Sequence, residues 1–222
     1  IRTPFGDIIH TGDFKFDQTP VDGKLVDFQA IARFGEEGVL CLMSDSTRAE
    51  VPGWTPSEST VREAFHEIME GLEGRVIVAT FASNLARVQQ VFDASETFGR
   101  QVAVIGRSME QNTRIAADLG YLRPPDTGLV SKGKIKDIAD DRLTIMTTGS
   151  QGEPMAGLAR MANRDHRFVE ITPGDTVIVS ASPIPGNEEG VARTVDNLFK
   201  AGANVYYYAI KRAHVSGHAS QE

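Results

Sequence analysis

The 222-residue sequence contains one cysteine, Cys41, so no internal disulfide can form and a disulfide-stapled extracellular scaffold is excluded. No run approaches the ~18 consecutive apolar residues of a spanning helix, and no basic-then-apolar leader opens the chain. Basic charge is scarce: 23 Lys and Arg against 30 Asp and Glu leave a net charge of −7. That balance excludes the broad basic surface behind nonspecific nucleic-acid binding, so any nucleic acid must be met by a local channel or pocket, and a membrane surface is disfavoured as a partner. Repeats, low-complexity tracts and a G-x-G-x-x-G dinucleotide fingerprint are also missing. The expected location is the cytoplasm. With 41% hydrophobic and 24% charged residues the composition is that of a globular protein. At ~150 residues per domain the length suits one large domain or one and a half. Because it begins at Ile1 rather than Met and stops at Glu222 just past a histidine-rich turn, the chain reads as a piece of a longer protein.

From about residue 72, short β-branched runs alternate with stretches of helical period, the pattern of a parallel sheet flanked by helices in a Rossmann-like α/β fold. Strands are predicted at Arg75–Thr80, Val102–Ile105, Leu143–Thr147, Thr176–Ser180 and Asn204–Tyr208. Leu85, Val88, Val91 and Phe92 form one apolar helical stripe, and Ile115 with Leu119 ends another. Thr55, Pro56 and Glu58 predict a capping box ahead of Val61, Phe65, Ile68 and Met69, and Ser108 with Gln111 repeats the device. The segment 123–141 reads as irregular and 182–187 as a turn. Residues 1–50 differ, with strands at Asp7–His10 and Val39–Ser44 and a short helix near Val26–Phe34. Cys41, inside the apolar run Val39–Met43, is expected to be a buried structural thiol.

In a parallel sheet, ligands gather at the carboxyl ends of the strands. Asp13 and Asp45 each follow a predicted strand, where a carboxylate can bridge metal ions, orient an imidazole, or simply satisfy turn amides. Ser83 and Asn84 open a helix, as N-caps or as part of a phosphate site. The loop Thr148–Pro154 is a second small-residue entry to a helix. At the C-terminus, His214 and His218 flank Ser216 and Gly217, so imidazoles and a hydroxyl can converge on one oxyanion or metal. His10 reads as structural, His66 and His166 as solvated. Lys15, Arg48, Arg87, Arg107, Lys211 and Arg212 are the cations available to offset the acidic charge locally.

Taken in order, GDFKFD at 12–17, SDST at 44–47, FASN at 81–84, GRSM at 106–109, TGSQGEP at 148–154, PIPGNE at 183–188 and HVSGHASQE at 214–222 resemble the ribonuclease J family, metallo-β-lactamase RNases carrying a β-CASP domain. The resemblance implies a β-CASP domain at 51–210, a partial metallo-β-lactamase segment at 1–50, and at 211–222 the start of a return to that domain. It implies a zinc-dependent ribonuclease that hydrolyses RNA phosphodiesters both 5′-to-3′ and internally. Asp13 would bridge two catalytic zinc ions, Asp45 would be the acidic partner of His218, and His218 would stabilise or protonate the leaving oxygen. Ser83, Asn84, His214, Ser216, Gly217 and His218 would contact substrate, with a preference for a 5′-monophosphate, and TGSQGEP would line the same channel. Homo-oligomers are expected of the full-length protein. The family's other metal ligands fall outside this sequence, so the fragment is expected to be inactive alone and to retain zinc poorly. Two departures stand out: Ala86 replaces the usual histidine before Arg87, and Arg48 follows SDST where a small polar residue is commoner.

Two other readings use the same residues. One is a noncatalytic nucleotide- or phosphate-binding Rossmann-like module. The other is a β-CASP nuclease of another branch, processing mRNA 3′ ends or DNA.

Overall fold

A computed structural model describes residues 1–153 and 155–222. Pro154, the last residue of TGSQGEP, lies outside the described residues. The chain forms two compact units, residues 1–59 with 215–222, and residues 60–214. The sequence reading placed its boundaries at 50/51 and 210/211, whereas the units part at 59/60 and 214/215.

The larger unit holds helix α2 (Ser59–Met69, from its second residue), β4 (Val76–Ala79), α3 (Leu85–Thr97), β5 (Gln101–Ile105), α4 (Arg107–Asp118), β6 (Leu129–Val130), β7 (Leu143–Thr147), α5 (Gly157–Ala162), β8 (Thr176–Val179), α6 (Glu188–Lys200) and β9 (Asn204–Tyr206). Its six strands run in the order β6-β5-β7-β4-β8-β9, and every pairing is parallel. Side chains alternate across a sheet, so Ile77, Ala103, Ile145 and Val177 share one face, where they pack with Leu158, Met161 and Leu198 from α5 and α6. The opposite set, Val76, Val78, Val102, Met146 and Ile178, is equally buried. A sheet covered on both sides explains why these strands are unbroken β-branched runs rather than alternating ones.

The smaller unit contains β1 (Arg2–Thr3), β2 (Gly6–His10), α1 (Phe28–Glu37) and β3 (Val39–Met43), with β1 antiparallel to β2 and β2 parallel to β3. Here the expectation for Cys41 fails. All of β3 is exposed and Cys41 with it. A strand at the edge of a three-stranded sheet, with no covering layer on it among the described residues, leaves an apolar run facing outward.

Three local expectations are also corrected. Thr55 does not cap α2: its hydroxyl donates to the His218 carbonyl (2.7 Å) and meets Ser220 Oγ (2.9 Å), and the helix starts four residues later. Nor does Ser108 cap α4, which begins at Arg107; Glu110 reaches back to the Gly106 amide instead (3.2 Å). Ile115 and Leu119 are exposed because α4 buries Met109, Thr113 and Ala116, a stripe on another side of the helix.

Candidate active site

In the smaller unit the end of β2 leads into Gly12 and Asp13, and the end of β3 into Ser44 and Asp45. Parallel pairing of these strands, closed by a Thr11 amide to Met43 carbonyl bond (3.1 Å), brings the two following loops side by side. Thr11 Oγ1 accepts from the Asp45 amide (3.0 Å) and fixes the start of the second loop. The C-terminal segment is held by the same unit: the Ala219 amide donates to the Phe14 carbonyl (2.6 Å) and the Gln221 amide to the Val51 carbonyl (2.9 Å).

These bonds place one ligand atom each of Asp13, Asp45 and His218 within 4.8 Å of one another. Asp45 Oδ2 accepts from His218 Nδ1 (2.8 Å) and from the Phe14 amide (3.4 Å), while Oδ1 accepts from the Thr47 amide (2.9 Å). A carboxylate can only accept, so Nδ1 is the protonated ring nitrogen and Nε2 is left as the reactive one. The Thr47 amide, and then the His218 ring, hold the Asp45 carboxyl well below the usual carboxylate range. Asp45 is therefore a fixed anion. The bland reading of Asp45 as a turn residue and the functional one as a partner of His218 are both present in its geometry. Ser216 Oγ accepts from the His218 amide (3.1 Å) and shapes the turn that presents the ring.

The other candidates belong to the larger unit. Ser83 is exposed just before α3, and Asn84 caps that helix, its Oδ1 accepting from the Arg87 amide (3.0 Å). In TGSQGEP, Ser150 and Gln151 are buried, and Gln151 ties this loop to the 182–187 turn through the Ser182 carbonyl (2.8 Å) and the Ile184 amide (2.7 Å). Gln151 thus acts as a brace between loops.

Arg87 was expected among the surface cations and is instead completely buried. Its guanidinium donates to Ser180 Oγ and to the Ala213 carbonyl (3.2 Å), and lies 3.5 Å from His214 Nδ1. A lone Arg beside an apolar stripe carries no sequence signal of this brace. Lys15 and Lys211 are likewise committed, to Glu58 (3.3 Å) and to Glu67. His166 and His66 are half-buried rather than solvated. His166 Nδ1 accepts from the Val169 amide (3.2 Å), and burial lowers its pKa below 6.5. His66 packs against Phe98.

A wholly parallel sheet with small-residue loops at its strand ends, and a separate unit holding an Asp-Asp-His cluster, define the class: an α/β protein joined to a carboxylate–imidazole centre. Residues 73–198 match the family model of the ribonuclease J β-CASP domain. The chain belongs to the ribonuclease J family. It is similar to ribonuclease J of Thermus thermophilus (50% identity over 222 residues, all of this chain and 39% of that protein) and of Mycobacterium tuberculosis (49% over 219 residues, 99% and 39%). It is also similar to ribonuclease J of Synechocystis (48% over 222 residues, 100% and 35%). The chain thus spans about two fifths of the length of the curated relatives it matches.

Proposed function

We propose that the chain is the β-CASP portion, with flanking metallo-β-lactamase pieces, of a zinc-dependent ribonuclease that hydrolyses RNA phosphodiesters 5′-to-3′ and internally. The observation that carries this reading is the Asp45–His218 pair beside Asp13, in a chain similar along its whole length to ribonucleases J. Asp45 orients the His218 ring and stabilises its cation. His218 Nε2 then donates a proton to the leaving oxygen. Ser83, Asn84 and His214 are phosphate contacts of the larger unit and Ser216 and Gly217 of the smaller, each favouring a 5′-monophosphate. The full-length protein works as a homo-oligomer in the cytoplasm.

Asp13 has the chemistry of a metal donor, an exposed carboxylate. The set as a whole does not fit a zinc pair: both Asp45 oxygens are engaged by hydrogen bonds, leaving Asp13 and His218 Nε2 where a zinc ion takes about four donors. In the full-length enzyme Asp13 would be this chain's contribution to a zinc site, and bound zinc would supply an activated water. Alone, the chain is inactive.

The test is a titration of the 222-residue chain with two short RNAs differing only in a 5′-monophosphate or 5′-hydroxyl. Tighter binding of the phosphorylated RNA is expected. Equal binding would remove the phosphate contacts assigned here. RNA cleavage by the pure chain, abolished by a chelator, would overturn its inactivity.

A further inference from the structure

The GRSM segment has no part in the reading above, yet it borders an open cleft of about 550 Å³ that lies wholly within the larger unit. That volume is within the ~300–1,000 Å³ of small-molecule sites. The cleft starts at Ile105, the last residue of β5, and is walled by Arg107, Arg114, Lys132, His166 and Phe168. Its position in the topology is specific. From β5 the chain moves out to β6 at one edge of the sheet, whereas from neighbouring β7 it moves to β8 on the far side of β4. The carboxyl ends of β5 and β7 therefore flank a switch point, the place where open parallel sheets bind ligands. Gly106, at φ +112°, is close enough to the β7 loop that a Cβ there would sit 3.3 Å from Thr148 Oγ1.

Charge in the cleft runs against that of the molecule. Glu110 neutralises Lys132 (2.9 Å), but neither Arg107 nor Arg114 has a carboxylate within 4 Å among the described residues. Arg107 and Arg114, both exposed and seven residues apart, lie on one face of α4 and line the cleft together with no carboxylate beside either, in a chain of net charge −7. Arg107 opens α4, where the Glu110 carboxylate already accepts from the Gly106 amide (3.2 Å), so the positive charge of the cleft comes from the two guanidinium groups and not from the helix end. Phe168 supplies an aromatic wall, with Lys132 Nζ 5.9 Å and Arg167 Cζ 5.3 Å from its ring centroid.

We propose that this cleft is a nucleotide-phosphate site, in which Arg107 and Arg114 hold the phosphate and Phe168 bounds the attached base. Its residues all belong to the larger unit, and none of them is Asp13, Asp45 or His218. The site rests on the RNA reading above only for the source of its ligand, a phosphate of an RNA strand or of a free nucleotide.

The experiment is an NMR titration of the isotopically labelled 222-residue chain with inorganic phosphate, uridine 5′-monophosphate and a ten-nucleotide single-stranded RNA, reading the Gly106, Arg107 and Lys132 amides. The nucleotide and the RNA should shift these amides saturably. An Arg107→Gln, Arg114→Gln double variant should bind roughly tenfold more weakly or worse while keeping its thermal unfolding midpoint. RNA binding far tighter than the mononucleotide identifies a strand as the ligand, and equal affinity identifies a free nucleotide. Inorganic phosphate binding as tightly as the nucleotide would overturn the nucleotide site. So would cleft amides unmoved by both the nucleotide and the RNA while RNA shifts those around Ser83 and His214, an outcome that leaves the RNA reading intact. RNA shifting no amide anywhere would count against that reading, with the mononucleotide arm still deciding the cleft.

Discussion

Asp45 accepts hydrogen bonds on both carboxylate oxygens, and its acidity in the fold follows from them. A group whose pKa falls below its ordinary 3.8 on folding stabilises the fold above that value and loses the contribution as pH drops toward the folded pKa. Denaturant unfolding at pH 5, 3 and 2 should therefore show stability falling from about pH 4 downward, and Asp45→Asn should flatten that fall. In the full-length enzyme the same substitution should cut turnover by about 10²-fold or more with zinc content intact; loss of zinc would make Asp45 a ligand instead. Arg87 is the counterpart in the larger unit. It is fully buried and bonded to Ser180 and the Ala213 carbonyl. Arg87→Met should cost roughly 3 kcal/mol, because Ser180 Oγ loses its guanidinium donor and the Ala213 carbonyl keeps only the Ser180 hydroxyl. A thermal melt shifted by less than a degree or two would mean the brace is dispensable.

At the scale of elements, the loop after β7 meets the start of α6 at a backbone-to-backbone contact. Gly152 has φ +70°, and a Cβ there would lie 2.2 Å from the Gly190 carbonyl carbon and 2.4 Å from the Val191 amide nitrogen. Neither neighbour is a flexible side chain that can move aside. Gly152→Ala should destabilise by about 2 kcal/mol or more, whereas Gly133→Ala, with open space around it and no positive φ, should be near neutral in denaturant unfolding. Strands of this sheet were legible because burial on both faces forces continuous β-branched runs; β7 falls on Leu143–Thr147 as read from the sequence. The start of α2 was not. Thr55 and Glu58 have capping-box spacing, but the Thr55 hydroxyl bonds a carbonyl 163 residues away, a contact that local pattern cannot contain. Ile115 and Leu119 misled for a related reason, since an i, i+4 apolar pair marks a face without saying what covers it.

At the scale of the whole molecule, the Asp13, Asp45 and His218 cluster draws on three loops, with Asp45 and His218 173 positions apart. Composition and periodicity could nominate each residue, but only the ordered series of motifs could group them. The cleft at Arg107 and Arg114 was invisible to either route, because it depends on which strand ends become neighbours after folding. The same grouping fixes what the chain can do with metal. Zinc binding strong enough to survive separation from free ion needs about four donors with their own supporting bonds, and Asp45 is already committed to Thr47, Phe14 and His218. Recruiting Asp45 as a ligand would break the contact that orients His218, so the two uses compete. Dialysis of the 222-residue chain against zinc, followed by gel filtration and elemental analysis, should leave well under one ion per chain, and a chelator should not move its melting temperature. Two retained ions per chain would mean that donors beyond Asp13 and His218 come together in the cluster, and would remove the physical ground for expecting this segment to be inactive by itself.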